Sequence, residues 1–280
     1  MELKATTLGK RMAQHPYDRV QLLNAGVKVS GDRHEYLIPF NQLLSVQCKR
    51  GLVWGELEFA LPESKVVRLH GTEWAETQHF YHHLNNLWQQ WSAEMSEIAA
   101  QLLRQQLSEI ERASAEGKWL TRQQVADVQA KIRRALTGLP FPESRLDEFD
   151  NCRELWRQCQ CWLSDIDEAR LAHNQAYTEA MLEQYRAFFD KVESSPLNPA
   201  QARAVVNGER SLLVLAGAGS GKTSVLVARA GWLLNRGEAA ADQILLLAFG
   251  RQAAQEMDER IQERLGTDEI AARTFHSLAL

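Results

Sequence analysis

The first 93 residues alternate short apolar runs with turn signals and then change to a helical pattern. Five runs rich in apolar and β-branched residues are bounded by glycine, proline or aspartate, which predicts short strands. The runs are residues 26–30, 35–38, 43–49, 57–61 and 65–69. From Trp74 to Trp91, apolar residues recur every three or four positions. That spacing predicts one amphipathic helix after the strands.

A small β meander closed by a C-terminal helix resembles a pleckstrin-homology-type module. Such modules mostly bind partners, and the resemblance does not identify the partner of residues 1–93. His79, His82 and His83 crowd the predicted helix, and the first and last are four residues apart. Neither a glutamate-rich helix nor a second histidine helix follows to complete a metal site. We therefore interpret the three histidines as a solvated helix face.

Residues 94–195 carry a helical pattern throughout. Thr121 is a candidate N-cap for a helix that runs to Leu136, where glycine and proline follow. From Ser144 to Val192 the pattern predicts an unbroken helix with a heptad seam, either within a coiled coil or between two helices. The seam positions are Phe149, Cys152, Trp156, Cys159, Leu163 and Ile166, continued by Arg170, His173, Tyr177 and Ala180.

Two features of this helical region have alternative interpretations. Cys152, Cys159 and Cys161 could be zinc ligands, but no second ligand pair has suitable spacing, so buried cysteines are expected. Residues 146–150, Leu-Asp-Glu-Phe-Asp, resemble the Asp-Glu box of an ATPase. No buried apolar strand precedes them, so we assign them to the start of a helix.

Composition and charge restrict the class of protein. The 280 residues are 45% hydrophobic and 24% charged, which indicates two or three folded domains. No apolar run reaches the ~18–20 residues of a membrane helix, and the N-terminus has no apolar segment of signal-peptide length. Four cysteines are too few for a disulfide framework, so we expect a protein of the reducing cytoplasm. The net charge is −4, without a basic segment, so DNA binding must be argued from motifs.

The third region, residues 196–280, contains a candidate phosphate-binding loop. An apolar run at residues 211–215 predicts a buried strand, and an apolar-periodic segment at residues 224–234 predicts a helix. Between them lies Ala-Gly-Ala-Gly-Ser-Gly-Lys-Thr, residues 216–223. Glycines allow backbone N–H groups to surround phosphate oxygens. Lys222 can reach the β- and γ-phosphates of a nucleotide, and the Thr223 hydroxyl can ligate Mg²⁺.

Segments on both sides of this loop narrow the choice of reaction. Upstream, residues 197–205 place Gln201 ahead of the loop, and downstream residues 244–249 predict a second strand. Residues 250–257 and 273–278 follow. Together with the loop, these segments resemble the Q motif and motifs I, Ia and Ib of UvrD/Rep-type superfamily 1 DNA helicases. Residues 248, 250, 251 and 252 depart from the usual wording of motif Ia.

The resemblance implies a role for each matching residue. Gln201 would read the adenine edge of ATP, while Lys222 and Thr223 would be catalytic. Residues that would contact the nucleotide are Gln201, Ala216, Gly217, Ala218, Gly219, Ser220, Gly221, Lys222 and Thr223. Residues that would face single-stranded DNA are Phe249, Thr274, Phe275 and His276. The N-terminal region further resembles the helicase IV branch of this family.

These observations predict an α+β protein with three parts. A β-rich module occupies residues 1–93, a helical arm residues 94–195, and the first part of a RecA-like ATP-binding domain residues 196–280. The expected function is ATP-dependent DNA unwinding in the 3′ to 5′ direction, with ATP, Mg²⁺ and single-stranded or partly duplex DNA as ligands. The family's Asp-Glu box and γ-phosphate arginines are expected after Leu280. The alternatives are a truncated, non-catalytic ATP- or DNA-binding fragment and a P-loop kinase or signalling NTPase.

Overall fold

The computed structural model describes residues 1–12, 16–115, 117–164, 166–217 and 219–278, which form two compact units. The first unit comprises Met1–Ser108 and Ala130–Leu163, and the second comprises Glu109–Gln129 and Ser164–Leu280. Two long helices, α2 (Trp74–Ala113) and α3 (Arg122–Leu136), contribute residues to both units. The predicted boundary at residue 93 lies within α2, and the boundaries at 93 and 195 stay predictions.

Two antiparallel sheets form the N-terminal part of the first unit. The first has the order β1-β2-β3-β4 and the second the order β5-β6-β7. Their strands are β1 (Glu2–Lys4), β2 (Arg19–Leu23), β3 (Gly26–Ser30), β4 (Glu35–Pro39), β5 (Ser45–Arg50), β6 (Gly55–Ala60) and β7 (Val66–Thr72). The five predicted strands are confirmed as β3 to β7. Strands β1 and β2 and the short helix α1 (Thr7–Met12) were not predicted, because they hold few apolar residues in alternation.

One apolar core holds the two sheets and the start of α2 together. It includes Phe40, Leu57, Phe59, Phe80 and Leu84, each with no exposed surface. Because buried residues alternate along β6 and recur at positions 77, 80 and 84 of α2, the predicted helix face is confirmed. His79, His82 and His83 are exposed on the same helix.

A glycine pair joins α1 to the end of β7. Gly71 has φ +86°, and a Cβ atom on Gly9 would lie 2.2 Å from the Gly71 carbonyl oxygen. The hydroxyl of Thr6 donates to that same carbonyl at 3.1 Å. A side chain at either glycine would therefore separate the two segments.

The prediction of an unbroken helix over residues 144–192 is wrong. Glu143–Glu148 form a 3₁₀ turn, followed by α4 (Asp150–Leu163), α5 (Asp167–Gln184) and α6 (Arg186–Phe189). Cys152, Trp156 and Cys159 are buried in the first unit, whereas Tyr177 is buried in the second. The regular spacing of apolar residues that suggested one helix therefore comes from residues of two separate cores. The Asp-Glu string at residues 146–150 lies in the 3₁₀ turn and the first residue of α4, as predicted.

The second unit contains five further helices and strands around two apolar clusters, and one short helix at its end. They are α7 (Pro199–Val206), α8 (Lys222–Arg236), β8 (Leu245–Ala248), α9 (Arg251–Leu265), β9 (Ala271–Thr274) and α10 (Phe275–Leu278). Strands β8 and β9 pair in parallel. Trp232 of α8 is buried against Phe189 of α6, with ring centroids 5.5 Å apart, and against Tyr185 at 5.0 Å.

The predicted buried strand at residues 211–215 is not formed. The segment has no strand geometry, and the exposed fractions of Leu213 and Leu215 are 80% and 86%. A strand is stable only when its N–H and C=O groups pair with a neighbour. Among the described residues, β8 and β9 pair only with each other, and residues 211–215 pair with neither of them. None of the helices in the described part of the chain is both long enough and apolar enough to span a bilayer.

Candidate nucleotide-binding site

The predicted phosphate loop leads directly into helix α8. Lys222 Nζ donates to the carbonyl oxygens of Ala216 at 3.1 Å and Gly217 at 2.7 Å. The Ser220 hydroxyl donates to Gly217 O at 2.7 Å. These bonds connect Ser220 and Lys222 back to the carbonyl groups of Ala216 and Gly217. Ala218, one of the predicted nucleotide contacts, lies outside the described residues.

Two glycines of the loop have backbone conformations that other residues rarely adopt. Gly219 has φ +75° and Gly221 has φ +83°, both in the left-handed region. Gly221 is the N-cap of α8, so the unpaired N–H groups of the first helical turn follow immediately. A helix N-terminus with free N–H groups attracts anions such as phosphate. Thr223 is half-buried in this first turn, one residue after Lys222.

Gln201 lies against the loop. Its side-chain Nε2 donates to Ser220 O at 3.0 Å. Its Oε1 accepts from the Asn198 backbone N–H at 2.9 Å, while Asn198 Oδ1 accepts from the Gln201 N–H at 3.0 Å. This reciprocal capping box starts α7 and fixes the glutamine rotamer. A Cβ atom on Gly221 would lie 2.5 Å from Gln201 Nε2, so glycine is needed there for the contact.

The loop geometry is compatible with a nucleotide and its metal ion. Gly219 leaves open space beside the loop, since a Cβ there would meet no atom within 4 Å. The residues with suitable chemistry are Lys222 for phosphate and the Thr223 hydroxyl for Mg²⁺. Hydroxyl and phosphate oxygens are the ligands that Mg²⁺ prefers.

The four predicted DNA-facing residues fall into two groups. Phe249 directly follows β8 and is 97% exposed, while Phe275 follows β9 and is 62% exposed. Strands β8 and β9 are parallel neighbours, so their C-terminal ends lie at the same end of the sheet. The two rings and the exposed His276 follow these ends. Thr274 differs, since its side chain is buried.

Thr274 and Ser277 hold the first turn of α10. The Thr274 N–H donates to Ser277 Oγ at 3.0 Å, and the Ser277 N–H donates to Thr274 Oγ1 at 3.2 Å. The Thr-x-x-Ser spacing was the available signal for this cap, and the sequence analysis did not use it. The cap places Phe275 and His276 outward.

A polar cluster ahead of the loop was also missed. Glu209 accepts from Arg170 Nη1 at 2.8 Å and from Trp119 Nε1 at 3.4 Å. Asn174 both accepts from and donates to the backbone of Leu120, at 2.8 and 2.9 Å. Arg170 and Asn174 are buried. These partners are up to 90 residues apart in sequence, so no local pattern indicates them.

Comparison with known proteins identifies the family of this chain. Residues 1–164 match the family model described as DNA helicase IV / RNA helicase N terminal, and residues 197–280 match the model of the UvrD/REP helicase N-terminal domain. DNA helicase IV of Escherichia coli (strain K12) is 75% identical over 280 residues, which is 100% of this chain and 41% of that protein.

Two further relatives match only the end of the chain. ATP-dependent DNA helicase PcrA of Bacillus subtilis (strain 168) is 44% identical over 88 residues, 31% of this chain and 12% of that protein. A probable DNA helicase II homolog of Rickettsia conorii is 42% identical over 83 residues, 30% of this chain and 13% of that protein. The chain thus spans less than half the length of these relatives. Since the first family model covers more than half of the chain, the protein belongs to the DNA helicase IV family, with a UvrD-type helicase domain after its N-terminal region.

Proposed function

We propose that this chain is the ATP-binding portion of an ATP-dependent DNA helicase that moves 3′ to 5′. The observation that carries the proposal is the contact of Gln201 with a glycine loop that Lys222 closes at the N-terminus of α8. We further propose a pleckstrin-homology-like fold for the N-terminal module, with a partner still to be identified. For the UvrD-type region, we propose a RecA-like domain.

Lys222 has a direct role in this mechanism. Its ammonium group now bonds two loop carbonyls, and it would exchange these bonds for the β- and γ-phosphates of ATP. The first N–H groups of α8 would bind the same phosphates. Thr223 would hold Mg²⁺, which when bound neutralises charge between the phosphates. Gln201 would hold the adenine edge while Asn198 keeps its side chain in place.

Exposed aromatic residues would form the DNA-tracking surface. Phe249 and Phe275 are exposed at the C-terminal ends of β8 and β9. Aromatic rings stack on bases without sequence preference. Stacking of this kind suits a motor that moves along one strand whatever its sequence.

We also propose that the 280-residue chain alone has at most trace ATPase activity and separates no strands. The observation behind this statement is the exposed, unpaired run before the phosphate loop. A loop that no buried strand anchors lacks the rigidity that a catalytic geometry requires.

The experiment compares Lys222→Ala with Lys191→Ala, an exposed lysine in the same unit. In the 280-residue chain, the first change should abolish binding of a fluorescent ATP analogue, and the second should not. In a chain extended by the remaining helicase domains of the relatives, Lys222→Ala should also abolish DNA-stimulated ATPase and unwinding of a 3′-tailed duplex. Equal ATP affinity of the Lys222→Ala and Lys191→Ala variants would refute the proposal.

A further inference from the structure

A second group of cations lies further along the helix that starts at the phosphate loop. Arg229 and Arg236 follow Lys222 in α8 by seven and fourteen residues, hence by about 10 and 21 Å along the helix axis. They line a cavity of about 200 Å³ in the second unit, here called the basic cavity. Its charged and aromatic lining residues are Lys118, Tyr177, Arg229, Trp232, Arg236 and Glu238.

The charges of the basic cavity do not cancel. Arg236 Nε pairs with Glu238 Oε1 at 3.1 Å. Lys118 and Arg229 have no ion pair with a carboxylate anywhere in the described ranges. Glu238 is the cavity's one acidic lining residue among those described, so the lining carries an excess of two positive charges.

Arg229 is the most confined of these cations. Its guanidinium Nη1 donates to the Val205 carbonyl oxygen at the end of α7, which uses one of its five N–H donors. Burial lowers the pKa of Arg229, while the charge of Glu238 acts in the opposite direction. The guanidinium is thus partly removed from water, and one backbone carbonyl is its hydrogen-bond partner among the described residues.

Arg236 is held in a fixed orientation. Its guanidinium carbon lies 5.5 Å from the Trp232 ring centroid and 5.7 Å from that of Tyr185. Contact with two aromatic rings leaves little freedom to the side chain. Its Nη1 also donates to the Tyr185 hydroxyl at 3.4 Å and to Met181 Sδ at 3.6 Å. The N–H groups of Nη2 are left for a ligand, and the fixed side chain binds without a large ordering cost.

Tyr177 adds a neutral donor between the two arginines. Its ring is buried, and burial raises the pKa of its hydroxyl, while the charges of Arg236 and Arg229 act in the opposite direction. Arg229 and Arg236 line the same cavity as this tyrosine. Within the part of the chain that the structure describes, this hydroxyl has no hydrogen-bond partner. The hydroxyl is therefore free to donate to a ligand or to water.

We propose that the basic cavity binds a phosphate group. The remaining N–H donors of two arginines and a tyrosine hydroxyl can bind phosphate oxygens, and the excess positive charge matches the charge of phosphate. The phosphate could be free or part of a nucleic-acid backbone, since exposed Lys118 leaves the mouth of the cavity open to solvent. This site is separate from the phosphate loop and does not depend on the proposed helicase activity.

The experiment uses the 280-residue chain with Lys222→Ala, so that the phosphate loop does not contribute. Binding of inorganic phosphate is followed by ³¹P NMR line width. In this background Arg229→Lys should weaken binding about tenfold, because lysine lacks the fork that bonds two oxygens. Arg186→Gln is the matched control, since Arg186 is an exposed arginine paired with Glu183 in the same unit, and it should change nothing.

Glu238→Gln makes the test independent of folding damage. Removing the carboxylate frees Arg236 and raises the positive charge, so phosphate should bind about threefold more tightly. A misfolded variant would not gain affinity. Absence of saturable phosphate binding in the Lys222→Ala chain, or equal binding with Arg229→Lys and Glu238→Gln, would overturn the proposal.

A second arm identifies the source of the phosphate. Binding of a fluorescent thymidine oligonucleotide is measured with and without Glu238→Gln. A gain equal to that for inorganic phosphate supports the site and assigns it to the nucleic-acid backbone. A gain for inorganic phosphate alone supports the site and assigns it to a free anion.

Discussion

The strands β5 to β7 of the N-terminal module and the run before the phosphate loop have the same apolar character but different structures. Leu57 and Leu69 have no exposed surface, whereas Leu213 and Leu215 are almost fully exposed. In the module, each strand pairs with the next one along the chain. Residues 211–215 pair with none of the strands among the described residues. The comparison shows that an apolar run predicts a strand reliably only when its partner is near in sequence.

Truncating one apolar side chain in each region tests this difference most directly and should give the largest effect. Phe59→Ala in β6 should cost about 4 kcal/mol of unfolding free energy, because it removes a fully buried ring. Leu213→Ala should cost less than about 0.5 kcal/mol, since the side chain is exposed. Hydrogen exchange of the β5–β7 amides reports the first change without assuming two-state unfolding of the whole chain. A large loss of stability with Leu213→Ala would show that the run is buried in solution.

The helical part of the first unit gives the next largest effect. Trp156→Ala should cost about 3 kcal/mol, because Trp156 is buried on the face of α4 that also buries Cys152 and Cys159. Amides of α4 should lose protection, whereas ATP affinity should stay the same. Arg157→Ala is the control, as its exposed side chain pairs with Glu154. If both variants lost the same stability, the seam would not be a packed core.

The contact between Gln201 and the loop can be weakened through its cap. Asn198→Ala should cost about 1 kcal/mol of stability, since it removes the cap of α7. It should also weaken ATP binding less than Gln201→Ala does, because the glutamine stays present but loses its fixed rotamer. Gln201→Ala should weaken adenine nucleotides more than other nucleoside triphosphates. Measuring the affinity of both variants for ATP and for GTP checks these expectations. Equal losses of affinity for ATP and GTP in the Gln201→Ala variant would contradict them.

The smallest effect concerns the cysteines of α4. Burial raises the pKa of the Cys159 thiol to about 11, so its reactive thiolate is scarce at pH 8. Cys161, two residues later, is exposed. Iodoacetamide at pH 8 should therefore modify Cys161 well before Cys159, and the Cys159 rate should rise as the pH approaches 11. Mass spectrometry of the peptides measures both rates. Equal rates in the folded chain would indicate that α4 is not packed as described.

Local patterns accounted for much of the fold and for the composition of the candidate site. Five of the seven strands in the N-terminal module, the buried face of α2 and the limits of α3 follow from periodicity, turns and caps. Gln201, Lys222 and the glycines were found because a phosphate loop needs these residue types in one contiguous stretch. The short strand β1 has too few residues to show an alternation of apolar and polar positions, so it was not predicted.

The sequence by itself determined which residues can form helices, which strands pair with their neighbours, and where phosphate chemistry is concentrated. Only the tertiary structure decided which core each apolar residue joins. It divided the apparent seam between two units after Leu163, left residues 211–215 exposed, and brought Arg229, Arg236 and Tyr177 around one cavity. The physical reason is that periodicity reports contacts within a few residues along the chain. Burial and charge neutralisation depend instead on partners distant in sequence, which no local pattern identifies.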